Sequence, residues 1–182
     1  GITSPLEETP SMALGASDVN LLELVNSFGT VASGGVYHEP VLVTRIVDRD
    51  GNGVYTAPAE TRQAISPRTA FLMQQMLMAG RTDAGGTSMA LNGYIGPGMR
   101  DTDFGGKTGT SNRHADAWYV CVTPRLVFGA WVGGQYRQIH FRTGAMGQGS
   151  RVALPICGVF LRKVFADRAF KGYHKRFAPP KE

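Results

Sequence analysis

The chain has 182 residues, of which 42% are hydrophobic and 18% charged, and a formal net charge of +5. These proportions exclude intrinsic disorder, and the length is enough for one domain with a real core or for a large piece of a bigger one. The positive charge favours an anionic partner, but it is scattered apart from the run between Arg162-Lys163 and Lys181. No recognition-helix, zinc-finger or RNA-binding signature goes with it, so no nucleic acid is expected.

Residues 1–19, with Pro5, Pro10 and Gly15, read as loop. A helix is expected from Asn20, which is a good cap, with Glu23 three residues on completing a capping-box pattern. Leu21, Leu24, Val25, Phe28, Val31 and Ala32 recur at helical spacing until Gly34-Gly35 stops the run. Val41 to Val47 is β-branched and reads as a strand. Asp50-Gly51-Asn52-Gly53 is a turn signal, and Val54-Tyr55-Thr56 is the returning partner of a hairpin.

Ser66-Pro67 opens a second helix that runs through Phe71, Leu72, Met76 and Met78 to Gly80; its methionines 73, 76 and 78 read as core filler. Residues 80–103, with Gly85-Gly86, Gly93 and Gly96-Pro97-Gly98, read as loop. Three strands follow, at Phe104–Thr110, Ala117–Val122 and Leu126–Val132. Thr123-Pro124-Arg125 is a link short enough for an antiparallel hairpin. A last helix is expected from about Arg151 to Ala166, with Ser150 as its cap and Pro155 tolerated in its first turns.

Cys121 and Cys157 lie in apolar runs and read as buried thiols used as small hydrophobes; two residues do not establish a disulfide. His38, His114, His140 and His174 have no ligand spacing, so neither a metal nor another cofactor is expected. No apolar stretch reaches the ~18 residues a membrane span needs. The opening Gly1-Ile2-Thr3-Ser4-Pro5 has no basic or apolar leader character and reads as the inside of a domain, so a piece of a longer chain is expected.

The chemistry concentrates in Gly105-Gly106-Lys107-Thr108-Gly109-Thr110. A phosphate-binding loop needs glycine where Asp101 stands, and a helix where Ser111-Asn112-Arg113-His114 leads into another strand, so that reading fails. The alternative is a strand edge that binds substrate. Lys107 is a fixed cation, and Gly109 leaves the backbone open to a ligand. Thr108 and Thr110 offer hydroxyls to a carboxylate, and the Thr110 N–H suits an oxyanion hole. Gly86-Thr87-Ser88-Met89-Ala90 only half matches a nucleophile elbow. Arg137 and Arg142 read as solvated loop residues.

The wider pattern resembles a known family. Lys107-Thr108-Gly109-Thr110-Ser111-Asn112, Asp116-Ala117-Trp118-Tyr119, Thr123-Pro124 and Trp131-Val132-Gly133 resemble the third-motif region of class A (bifunctional) penicillin-binding proteins. Ser4-Pro5-Leu6, Ala13 to Ser17, Leu22 to Gly35 and Ala153-Leu154-Pro155-Ile156 match it in order. The resemblance implies an α+β fold, an antiparallel sheet flanked by helices, as part of the penicillin-binding or serine β-lactamase-like transpeptidase fold. Residues 1–170 would be the C-terminal portion of the transpeptidase domain and 171–182 a basic tail.

It implies a serine D,D-transpeptidase acting on peptidoglycan stem peptides ending in D-Ala-D-Ala, on the periplasmic face of the bacterial inner membrane, with β-lactams acylating the same serine. Lys107 would supply electrostatics beside the nucleophile. Thr108, Gly109 and Thr110 would bind substrate, with the Thr110 amide in the oxyanion hole. Asp116 and Trp118 would support the site. None of the nine serines has Lys three residues on or Asn two residues on, so S-x-x-K and S-x-N are not in these residues. The chain alone is therefore expected to be inactive, to lack the N-terminal half of its domain, to expose apolar surface and to self-associate through it. A non-catalytic peptide-binding relative of the same fold is the other reading.

Overall fold

A glycine- and threonine-rich run and two β-branched and aromatic runs after residue 104 build the sheet at the centre of the molecule. The computed structural model describes residues 1–96, 99 and 101–180. Strands β5 (Gly105–Thr110), β6 (Asp116–Val122) and β7 (Val127–Gly133) pair antiparallel in the order β5-β6-β7. Alternation along β6 sends Tyr119 and Cys121 to one face, with Ala130 of β7. Helix α4 (Ala153–Ala166) covers that face with Leu154, Cys157, Leu161, Val164 and Phe165. Each side chain buried this way contributes ~1.5–3 kcal/mol.

The opposite face carries helix α1 (Leu21–Ala32), which packs on β7 so closely that a Cβ on Gly129 would lie 2.8 Å from the Val25 side chain. Helix α2 (Pro67–Thr82) runs against β5 so closely that a Cβ on Gly105 would lie 2.4 Å from the Leu77 carbonyl oxygen. Helices therefore flank an antiparallel sheet on both faces, and the α+β fold expected from the sequence is borne out.

Two small sheets lie outside this core. Strands β2 (Arg45–Val47) and β3 (Gly53–Thr56) form the hairpin around the Asp50–Gly53 turn, although Val41 to Val43 stay outside the strand. Strand β1 (Val36–His38) pairs with β4 (Thr61–Gln63), a pairing the sequence reading missed. Within the expected loop 80–103, a short 3-10 helix spans Met89–Tyr94. Pro97 and Gly98 of that loop, and Lys181 and Glu182 of the basic tail, lie outside the described residues. The rest of the tail docks onto residues 101–103: Asp103 donates its N–H to the Lys175 carbonyl and its carboxylate accepts from Phe177 N–H, both at 3.0 Å.

Several expectations need correction. Asn20 caps α1 by accepting from Glu23 N–H at 2.9 Å, but Glu23 does not close the box. Its carboxylate instead accepts from the hydroxyls of Thr3 and Ser4, which ties the N-terminal segment to the helix and holds its pKa down at about 2. The methionines of α2 are not core filler: Met76 is 65% exposed, and the helix buries Ala70, Gln74 and Leu77 instead. Gln74 donates to the Val31 carbonyl at 2.7 Å, which ties α2 to the end of α1. Ser150 does not cap α4, which starts after Val152 without a side-chain cap. The carbonyl of Gly149 takes the Ala153 and Leu154 N–H groups in its place.

Both cysteines are buried free thiols, as expected. Burial pushes Cys157 up to about 12 and raises Cys121 as well, so both are inert. Much apolar surface stays uncovered, including Leu14 at 91% and Leu42 at 89% exposure.

Candidate active site

Among the described residues strand β5 has a strand neighbour on one side only, which leaves its other edge open. Ser111 N–H donates to the Asp116 carbonyl at 3.0 Å, which makes that pair a hydrogen-bonded rung. Rungs alternate along an antiparallel ladder, so the pairs Thr110–Ala117 and Thr108–Tyr119 are not hydrogen-bonded to each other. The N–H and C=O of Thr108 and Thr110 therefore point away from β6, toward the open edge. Two of the outward carbonyls are occupied. Gly106 C=O accepts from the buried Ser88 hydroxyl at 2.9 Å, and Thr108 C=O accepts from the Lys107 ammonium at 2.6 Å. The Thr110 N–H is turned outward by the same register, as an oxyanion donor has to be.

The two threonine hydroxyls differ in what holds them. Thr108 donates to the Thr87 hydroxyl at 2.9 Å. Thr110 accepts from Gly149 N–H at 3.0 Å, and among the described residues no acceptor takes its proton. Gly109 faces Trp118, its partner across the ladder; a Cβ on Gly109 would lie 3.1 Å from the Trp118 Cβ.

Asp116 closes the turn between β5 and β6. Its carboxylate accepts from Ser111 Oγ at 2.8 Å and from the Trp131 indole N–H at 3.0 Å, while its own N–H donates back to Ser111 Oγ at 2.8 Å. The turn needs this clamp, because Arg113 and His114 both sit at φ 59, a region non-glycine residues avoid. Trp118 and Trp131 stand at 6.3 Å between ring centroids, tilted by 52°.

All six residues named from the sequence, Lys107, Thr108, Gly109, Thr110, Asp116 and Trp118, line one open groove of about 1660 Å³. Its far wall is the 3-10 turn Pro10–Leu14 and the start of α1. Arg137 also lines it, but its guanidinium pairs with Asp18. Among the described residues no cluster of His, Cys, Asp and Glu could hold a metal ion.

Sequence reasoning missed Thr87, Ser88 and Gly149 as parts of this site. The half-matched elbow at Gly86–Ala90 turns out to support β5: Ser88 is fully buried on the Gly106 carbonyl, and Gly86 packs against the Gly80 carbonyl. These partners lie 18 to 39 residues from the strand they serve, and no local pattern announces them.

A three-stranded antiparallel sheet between helices, with a Lys-Thr-Gly-Thr edge strand facing an open groove, is the arrangement that a transpeptidase-type domain implies. Residues 6–130 match the penicillin binding protein transpeptidase domain, and the chain belongs to that family. Penicillin-binding protein 2D of Bacillus subtilis is 34% identical over 139 residues, 73% of this chain and 19% of that protein. Penicillin-binding protein 1A of Neisseria meningitidis is 28% identical over 176 residues, 93% of this chain and 21% of that protein. The crystal structure of penicillin-binding protein 1A from Haemophilus influenzae superposes with a TM-score of 0.80 at 25% identity, over 97% of this chain and 30% of that one. The likeness to class A members is thus borne out, and the chain spans about a fifth of the length of these curated relatives.

Proposed function

We propose that this chain supplies the substrate-docking wall of a serine D,D-transpeptidase that cross-links peptidoglycan stem peptides ending in D-Ala-D-Ala. The observation that carries the reading is the open edge of β5, where the register turns the Thr110 N–H outward and Lys107, Thr108, Gly109 and Thr110 all line one groove. In this reading a serine oxygen attacks the carbonyl of the penultimate D-Ala. Negative charge grows on the carbonyl oxygen, and the Thr110 N–H meets it there. The terminal D-Ala leaves as its amine takes a proton, and a second stem's amine resolves the acyl-enzyme.

Lys107 holds positive charge beside the nucleophile and the substrate's terminal carboxylate. Thr110 gives that carboxylate a hydroxyl proton. Thr108 contributes less directly, since its own proton rests on Thr87. Gly109 lets the peptide lie along the strand, and Asp116 and Trp118 hold the turn and the wall in place.

The reading places the nucleophile in polypeptide beyond these 182 residues, because none of their nine serines belongs to an S-x-x-K or S-x-N element. It also assigns the site to the outer face of the cytoplasmic membrane, though no described helix is long and apolar enough to cross one. β-Lactams are the expected inhibitors; the related PonA1 of Mycobacterium tuberculosis, 26% identical with a TM-score of 0.65, was solved with penicillin V. The exposed apolar side chains Leu14, Leu22 and Met76 suit a seat for the remainder of the domain, and an isolated chain would self-associate through them.

Intact-mass spectrometry after penicillin treatment tests the assignment. The gene product is expected to gain one penicillin on a serine followed by x-x-Lys, and the isolated 182-residue chain to gain none. An acylated serine within this chain would overturn it.

A further inference from the structure

Gly149 occupies a position no other residue fits. A Cβ there would lie 2.4 Å from the Trp118 carbonyl oxygen and 2.5 Å from the Gly109 carbonyl oxygen, both rigid backbone atoms in the β5–β6 ladder. Its carbonyl is fixed as well, accepting from Leu154 N–H at 2.8 Å and Ala153 N–H at 3.2 Å at the start of α4. Held on both sides, its own N–H donates to Thr110 Oγ at 3.0 Å.

A threonine hydroxyl has one proton and two lone pairs. With one lone pair bound to Gly149 N–H, the hydroxyl is tethered at its oxygen and its proton is left for another acceptor. We infer that Gly149 is a positioning residue that sets the Thr110 hydroxyl as a hydrogen-bond donor and so selects ligands ending in a free carboxylate. Such a ligand is acceptor-only, whereas an amide or ester terminus offers a weaker acceptor without charge. Gly149 touches no substrate; it acts through Thr110 and anchors that hydroxyl to α4. The inference rests on the reading that Thr110 meets the substrate carboxylate.

The test compares acylation of the gene product by penicillin and by its carboxyl methyl ester, and reads the ratio of the two second-order rates. A general structural defect slows both and leaves the ratio alone. Thr110→Val is expected to lower the acid-over-ester preference about tenfold, the size of one hydrogen bond to a charged group. Thr110→Ser, which keeps the hydroxyl, retains the preference. Gly149→Ala lowers it as Thr110→Val does, and the double variant loses no more than either single one. If Gly149→Ala loses the amide protection of β5 and β6, replacement of the Gly149 amide by an ester removes the N–H alone and is read the same way. A lowered ratio in Thr110→Val with a wild-type ratio in both Gly149 variants overturns the inference and leaves the role of Thr110 standing. A wild-type ratio in Thr110→Val, or no acylation of the unmodified protein, overturns that role and this inference with it.

Discussion

Replacing Asp116 by alanine removes the carboxylate that ties both ends of the β5–β6 turn. One oxygen accepts from Ser111 and the other from Trp131, at 2.8 and 3.0 Å. Each hydrogen bond to a charged acceptor contributes ~1.5–3 kcal/mol, and because Asp116 is half-buried the pair together amounts to ~2–3 kcal/mol. The turn also holds Arg113 and His114 at φ 59, at a cost of ~1 kcal/mol or more each. Freed from the clamp, the turn relaxes part of that strain, so the net loss is ~1–2 kcal/mol. At ~2–4 °C per kcal/mol for a chain of this size, Tm falls by about 2–8 °C. Arg113→Gly, with the clamp intact, relieves strain without breaking a bond and raises Tm by up to about 3 °C. Differential scanning calorimetry reads both. An unchanged Tm for Asp116→Ala, or a lowered one for Arg113→Gly, would refute the picture of a strained turn held by a carboxylate.

Glu23 has its pKa held at about 2 by the hydroxyls of Ser4 and Thr3, against an ordinary 4.5. A carboxylate lowered in the fold stabilises it above the unfolded value and ceases to do so as pH falls toward 2. The protection factor of Ser4 N–H against hydrogen exchange, taken relative to the intrinsic rate at each pH, should therefore fall between pH 4.5 and 2; a factor that persists to pH 2 would refute the tether. The thiols behave in the opposite sense. Their raised values stabilise the fold below the ordinary 9.0 and that stability is lost as pH climbs above it, for Cys157 on the way to about 12. Neither cysteine should react with a thiol-specific disulfide reagent at pH 8 until the chain unfolds, and rapid native labelling would count against their burial. Gly105→Ala forces a methyl against the Leu77 carbonyl and should cost ~1–3 kcal/mol, read as a fall in the urea midpoint.

Local chemistry made part of this molecule legible in the sequence. Asn20, the Asp50–Gly53 turn and the alternation through Ala117–Val122 each encode their element within a few residues, and each formed where expected. The β1–β4 pair was not legible, because its strands have three residues each and meet across a gap of more than 20. The face of α2 was misread for a related reason: periodicity weighs hydrophobic residues, and this helix packs through Ala70 and Gln74 while it exposes Met76. At the site, the residues of β5 could be named as candidates because a cation, two hydroxyls and an open glycine backbone are written in the residue types themselves. Gly149 and Thr87 act only through their place in space, on segments far along the chain.

The central claim is that the edge of β5 serves an acylating serine, and Lys107→Ala tests it most directly. Labelling of the gene product by a fluorescent penicillin, followed over time and mapped by peptide mass, reports both rate and position. The expected result is a label on an S-x-x-K serine outside these residues, formed at least ~100-fold more slowly once Lys107 is alanine, since the loss of one preorganised catalytic group at such a site is worth ~2.7–4 kcal/mol. A label that forms at the wild-type rate in Lys107→Ala, or that maps to any of the nine serines within the chain, would contradict it.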